Sequence, residues 1–198
     1  MHPIDNLSRA AALGVARDIR NHAYEVTDTG IHIPGSRLFI GGAFKHSVNG
    51  GPATIDANLF TTQGLNYLLD AAFSAAAQVP QFFIAPFSGN VTPVGTWDGS
   101  NFTANATEFI AYTETTRPQW VEAGASAAAI GNTASQAVFT LAAGGPYNIY
   151  GMALLSSSAK SSTTGILVAA SRFASPRLNQ QAGDRLAVEY TLTAADEG

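Results

Sequence analysis

Apolar and polar positions change rhythm along this chain, and the clearest rhythm is near its end. In Arg185-Leu186-Ala187-Val188-Glu189-Tyr190-Thr191-Leu192-Thr193, the residues Leu186, Val188, Tyr190 and Leu192 face one way while Arg185, Glu189 and Thr191 face the other. That period of two predicts a strand with one wet face. Residues 149–155 and 166–170 do not alternate and are apolar on both sides. They predict central strands covered on both faces by a second sheet, a helix or another subunit. A buried helix is the competing reading of such short runs, but their glycines and turn-rich flanks favour strand. With residues 136–141 these segments give four successive strands, 136–141, 147–156, 165–173 and 184–193. Ala-Ala-Gly-Gly-Pro (142–146), a Ser/Thr/Lys stretch (157–164) and Ser-Pro-Arg-Leu-Asn-Gln-Gln-Ala-Gly (175–183) separate them as turns. The pattern reads as an antiparallel meander.

The upstream pattern is more varied. Residues 62–76 predict a helix: Leu65, Leu68, Leu69, Ala72 and Phe73 form one apolar stripe, Thr61 or Thr62 can cap the start, and Pro80 limits continuation. The stripe is expected to lie against the sheet. Residues 81–87, with Phe82, Phe83, Ile84 and Phe87, read as a buried strand. Residues 88–105 are turn-rich yet carry Trp97 and Phe102, and aromatics on a loop imply contacts with something outside. Residues 107–121 read as strand, corner at Arg117-Pro118, and strand, where Arg117 and Trp120 suit an interface or, preferably, an internal corner. Residues 122–135, rich in Ala, Gly and Ser, make a connection.

At the N-terminus, Ile4, Leu7, Ala11, Val15 and Ile19 recur at helical spacing over 4–24. Gly14 and the scarcity of large apolar residues make that helix marginal alone, so it is either an arm that orders against a partner or a helix packed on its own domain. Residues 29–52 hold so many glycines and prolines that they predict a loop or irregular hairpin. The division expected is an N-terminal extension over 1–58 and a β-sandwich domain over 59–198.

Composition sharpens this picture. The 198 residues suit one domain plus an extension. Only 12% are charged, about half the usual quarter, which fits a protein that buries much of its outside against neighbours. A net charge of -4 argues against nucleic-acid binding. The first 46 residues hold five basic residues offset by four acids, so no DNA-binding arm is evident. Cysteine is absent, which removes disulfides, thiolate metal sites and thiol nucleophiles. Asp5, Arg9, Arg17 and Asp18 interrupt any signal-peptide core, and no segment reaches membrane-spanning length, so synthesis in a cytoplasm is expected.

The usual catalytic patterns are missing: no Gly-x-Ser-x-Gly elbow, His-Glu-x-x-His, Walker motif or dinucleotide fingerprint. Gly41-Gly42-Ala43-Phe44-Lys45-His46-Ser47 lacks the spacing of a phosphate loop. His2, His22, His32 and His46 never fall three or four apart, and read as solvated or packed rather than metal-binding. Glu108, Glu114 and Glu122 flank the Arg117 corner and are expected to form surface ion pairs with Arg117 or Arg172 rather than a glycosidase pair. No enzyme activity, cofactor, metal or small-molecule ligand is expected.

Five pieces carry a resemblance: Thr61-Thr62-Gln63-Gly64-Leu65-Asn66-Tyr67-Leu68-Leu69-Asp70, Pro80-Gln81-Phe82-Phe83-Ile84-Ala85-Pro86-Phe87, Ala111-Tyr112-Thr113-Glu114-Thr115-Thr116-Arg117-Pro118-Gln119-Trp120, Ile149-Tyr150-Gly151, and Leu167-Val168-Ala169-Ala170-Ser171-Arg172-Phe173. In their order and spacing, residues 59–193 resemble a family of small tailed-phage virion structural proteins, while the first 58 residues match much less well. With the strand pattern, the fold expected is an all-β, antiparallel β-sandwich, jelly-roll-like, with one short packed helix and an extended N-terminal arm. The resemblance implies a structural role in the virion, foremost as a capsid decoration (cement) protein. Its partners would be the major capsid protein or other virion proteins and further copies of itself, a trimer being favoured, with no nucleic acid or membrane. A tail or head-to-tail junction protein and a host-glycan binding module are the alternatives. Candidate interface residues are Leu7, Val15, Ile19, Trp97, Phe102, Tyr112, Arg117 and Trp120, of which Trp97, Phe102, Tyr112 and Trp120 would be the sugar platforms of the glycan reading.

Overall fold

The computed structural model describes residues 25–27, 30–32, 38–74 and 76–196. The helix expected over 4–24, and with it Leu7, Val15 and Ile19, lies outside the described residues. Glu25–Thr27 (β1) and Gly30–His32 (β2) pair as a small antiparallel ribbon, Val26 opposite Ile31. They belong to a unit distinct from the main one, which spans residues 40–194.

The main unit is an antiparallel β-sandwich. One sheet has the order β5-β11-β10-β6-β7, built from Leu59–Phe60 (β5), Phe82–Phe87 (β6), Gln119–Trp120 (β7), Tyr147–Leu155 (β10) and Leu167–Gln180 (β11). The other has the order β4-β3-β12-β8, from Leu38–Val48 (β3), Thr54–Ala57 (β4), Ala129–Gly131 (β8) and Arg185–Asp196 (β12). Ala137–Thr140 (β9) also pairs with β12. Phe44, Ile84, Trp120, Phe139, Met152, Leu154, Phe173 and Tyr190 fill the space between the sheets, each 5% exposed or less. Burying an aromatic of that kind is worth roughly 1.5–3 kcal/mol, so this layer dominates the stability.

The four segments expected as a meander are all strands, but they do not form one. β9 pairs with β12, Phe139 opposite Leu186, and only β10 and β11 lie side by side, Met152 opposite Ser171. The turn-rich stretch 175–183 does not end β11 where its composition suggests. β11 runs through it to Gln180, and the register slips between Ile149↔Arg177 and Gly151↔Arg172, so the extra residues, Pro176 among them, leave the ladder as a bulge. Proline is tolerated there because a bulged residue owes the neighbouring strand no hydrogen bond. Beyond the bulge β11 stays paired with β10, Gln180 opposite Tyr147, and the change of sheet comes in the short turn between Gln180 and Arg185.

The domain also starts earlier than residue 59. β3 is 11 residues long and pairs with β4, Phe44 opposite Asp56. The glycines that signal a loop have separate reasons to be there. Asn49 and Gly50 both take positive φ, 51° and 70°, and close a hairpin in which Gly51 N–H donates to Val48 O. A Cβ on Gly42 would sit 2.6 Å from Tyr190 Oη, so this strand glycine marks a close approach.

The apolar runs of β10 and β11 are covered on both faces. Met152, Leu154 and Val168 enter the core between the sheets, while Ala153, Leu155, Leu167 and Ala170 enter a second cluster on the outer face. Residues 88–106 roof that cluster and include a short helix, Phe102–Ala106 (α2). Phe87 meets Trp97 and Phe102 edge-on, with ring centroids 6.3 Å and 6.4 Å away. The cover is thus the chain's own loop.

Among the described residues the other helix, Thr62–Phe73 (α1), is shorter than expected, and of its apolar stripe Leu68 is half-buried while Leu65, Leu69 and Phe73 are turned outward. Thr61 Oγ1 accepts from Gly64 N–H at 3.0 Å, as a capping threonine should. Only Gly64 is buried: a Cβ there would stand 2.1 Å from Val168 O, so the helix docks on β11 through a bare backbone. Tyr67 packs edge-on against Phe82 and its hydroxyl accepts from Val79 N–H. Leu65, Leu69 and Phe73, expected against the sheet, face outward at 41%, 56% and 82% exposure.

Candidate functional site

Three places concentrate side chains that could bind or react: the Arg117 corner, a histidine cluster between the sheets, and the outward face of α1.

At the corner, Arg117 and Glu108 form a fork. Arg117 Nε donates to Glu108 Oε1 and Nη2 to Oε2, both at 2.8 Å, and both side chains are fully buried. Ser161 N–H and Thr103 Oγ1 also donate to Oε2, and Arg117 Nη1 donates to Ser157 O. Lys160 Nζ lies 3.6 Å from the centre of the Tyr112 ring and donates to Tyr112 O at 2.7 Å. The 157–164 loop is therefore pinned to the 103–117 segment, and every oxygen of the carboxylate is used. A buried pair of this quality is a structural clasp whose parts cannot be removed singly without leaving a bare charge.

These contacts correct the expected ion pairs and interface. Glu108 pairs with Arg117 in the interior, not on the surface. Glu114 accepts Thr140 N–H instead of a cation, and Arg172 donates to Asn90 Oδ1. Arg117, Trp97, Phe102, Tyr112 and Trp120 are each 6% exposed or less. Trp120 Nε1 donates to Tyr190 O, tying the two sheets together. Buried this way, the four aromatics have no free face to offer a sugar, and Arg117 sits in the internal corner that was the preferred reading of it. Burial, then the Glu108 charge, pushes the Tyr112 phenol up from its ordinary value.

The second place is His46, 1% exposed and stacked at 3.6 Å between centroids on Phe173. Its Nδ1 accepts from Arg177 Nε at 2.9 Å, which places the ring proton on Nε2, facing Asp56 Oδ2 at 2.9 Å. Arg177 Nη2 donates to His46 O, and Asp56 Oδ1 accepts from Ala174 N–H. Burial lowers the imidazole's proton affinity, with Asp56 opposing and Arg177 assisting. The cluster joins β3 and β4 to β11 across the two sheets. It is a packed histidine, as the sequence implied, in a network that no sequence spacing announces because its members lie up to 131 positions apart.

The third place offers surface instead of polar groups. Leu65, Leu69 and Phe73 recur every four residues, so they make a stripe about 12 Å long on one side of α1. Ile55 on β4 and Leu59 on β5 are also exposed, at 68% and 41%. Among the described residues no three His, Cys, Asp or Glu side chains gather as metal ligands, and no helix is long and apolar enough to cross a membrane. Comparison with models of known protein families and with characterised proteins gives no match to this chain.

Proposed function

We propose that this chain is a structural subunit of a tailed-phage virion, a capsid decoration (cement) protein that binds across neighbouring capsid subunits and stabilises the shell. The observation that carries an assembly role is the outward face of α1. Three large apolar side chains stand in water on a helix that docks through a glycine, on a chain with only 12% charged residues. A contiguous apolar stripe of this kind is a surface that a partner covers. The resemblance over residues 59–193 directs that role to the virion.

The mechanism is mass action on assembly. A trimeric β knob, made in the host cytoplasm, binds only the mature arrangement of shell subunits and so draws the equilibrium toward it. Contacts repeated around a symmetry axis multiply a modest interface into a firm one.

The test is the copy number per purified virion, by quantitative mass spectrometry against the major capsid protein. Hundreds of copies fit decoration of the shell. A dozen or fewer would place the protein in the tail or at the head-to-tail junction and overturn the cement reading. Its absence from purified particles would overturn the virion reading altogether.

A further inference from the structure

A groove of about 610 Å³ opens beside the second apolar cluster, where the end of β6, the 108–111 segment and the start of β10 meet. Its useful residues are Ser88, Asn90, Ile110, Tyr147, Asn148 and Tyr150. Glu108 also lines it, but both its oxygens are taken by Arg117. No residue that lines the groove therefore offers a ligand a free charge.

Its polar groups are set in advance. Asn90 Oδ1 accepts from Arg172 Nε and Nη2 at 3.1 Å and 2.7 Å, and Asn148 Oδ1 accepts from Asn179 N–H at 2.9 Å. Each amide is thereby oriented with its oxygen used, leaving its NH2 group to donate. Ser88 behaves in the opposite sense: its hydroxyl proton goes to Thr107 O, so its oxygen is left to accept. Ile110, 47% exposed, and the half-buried Tyr147 and Tyr150 supply the apolar wall. Two fixed donors, one acceptor and aromatic surface without charge define the complement of a neutral ligand bearing a secondary amide. An acetamido group matches it: the carbonyl accepts, the N–H donates, and the methyl and a pyranose C–H face are apolar.

We propose that this groove binds N-acetylated hexosamines, with Asn90 and Asn148 donating to the acetamido carbonyl and Tyr147 and Tyr150 covering the sugar's apolar face. The volume suits one to three sugar rings, and an open site of this kind holds them at millimolar affinity. Recognition here is separate from the virion role, so copy number and sugar binding stand or fall independently.

The test is a heteronuclear NMR titration of the purified chain with N-acetylglucosamine, N-acetylgalactosamine and their short oligomers, beside glucose and galactose, up to tens of millimolar. Shifts confined to the Asn90 and Asn148 side-chain NH2 signals and the Tyr147–Tyr150 backbone, with about tenfold preference for the acetamido sugars, are expected. Asn90→Asp and Asn148→Asp keep the oxygens that Arg172 and Asn179 hold, so the fold and its melting temperature persist, but each removes a donor and should weaken binding about tenfold or more. No binding by any acetamido sugar, equal binding of glucose and N-acetylglucosamine, or unchanged binding by both Asp variants would overturn the assignment.

Discussion

The Arg117 corner and helix α1 invert each other. At the corner, an arginine, a glutamate, a tyrosine and a tryptophan, all of them residues common on surfaces and at interfaces, are sealed inside. On α1, two leucines and a phenylalanine stand in water while a glycine is the buried residue. Residue type decides neither outcome. What decides is whether the charged groups find partners and whether backbones must approach closely; the Tyr112 hydroxyl is buried at the same corner without a hydrogen-bond partner. Glu108 accepts four hydrogen bonds, so its charge can be buried. Val168 O leaves no room for a side chain at position 64, so α1 must turn its bare side inward and Leu65, Leu69 and Phe73 out.

The corner is the place to break first. Arg117→Ala strips the buried Glu108 carboxylate of its cation and of two of its four donors, and Ser157 O of its Arg117 donor, and stability should fall by about 3–5 kcal/mol. Urea unfolding monitored by Trp fluorescence measures this, and a loss under 1 kcal/mol would mean water reaches the pair. Gly64→Ala comes next. Alanine is worth about 1 kcal/mol over glycine in a helix, but the new Cβ would meet a backbone carbonyl that cannot step aside. A net loss of about 2 kcal/mol is expected, seen as a lower melting temperature. A gain would show that α1 is not seated on β11.

The His46 cluster gives a smaller effect, and one that depends on pH. The folded protein holds His46 neutral against Arg177, while the unfolded chain takes up a proton at the ordinary value of 6.5. Below that point the unfolded state binds the extra proton, so stability falls as pH drops through 6.5, by no more than about 1.4 kcal/mol per pH unit. Unfolding at pH 8, 6.5 and 5, with the imidazole followed by NMR, checks it. A His46 ring that titrates at its ordinary value would place water beside Arg177.

Much of the fold is legible in the chain because strands announce themselves locally. The alternation of Leu186, Val188 and Tyr190 marks β12, and the unbroken runs around Met152 and Val168 mark strands buried on both faces. Pairing is another matter. β9 joins β12 across a gap of more than 40 residues, and nothing in either segment's composition states that partner. The corner was half legible: Arg117 beside Pro118 indicates a bend, yet the burial of Glu108 depends on Ser161 N–H, which arrives from 53 positions away. The groove was not legible, because Asn90 and Asn148 become fixed donors only through Arg172 and Asn179. The spacing of Leu65, Leu69 and Phe73 signals a helix correctly and says nothing of which side faces in.

That ambiguity makes the stripe on α1 the sharpest test of the comparison, though it carries the smallest effect on stability. Leu69→Ser and Phe73→Ser replace side chains already 56% and 82% exposed, so each should change the unfolding free energy by no more than about 0.5 kcal/mol. If α1 turns outward only to satisfy Gly64, nothing else should change. If the stripe is a docking face, the Leu69→Ser/Phe73→Ser pair should lose self-association in sedimentation, retention on purified particles, or both, with the monomer as stable as before. Equal melting temperatures with lost assembly would separate the two roles of this helix: a glycine side that holds it to the sandwich and an apolar side kept for a partner. Unchanged assembly would move the interface to other exposed apolar residues such as Ile55 and Leu59 at the sheet edges.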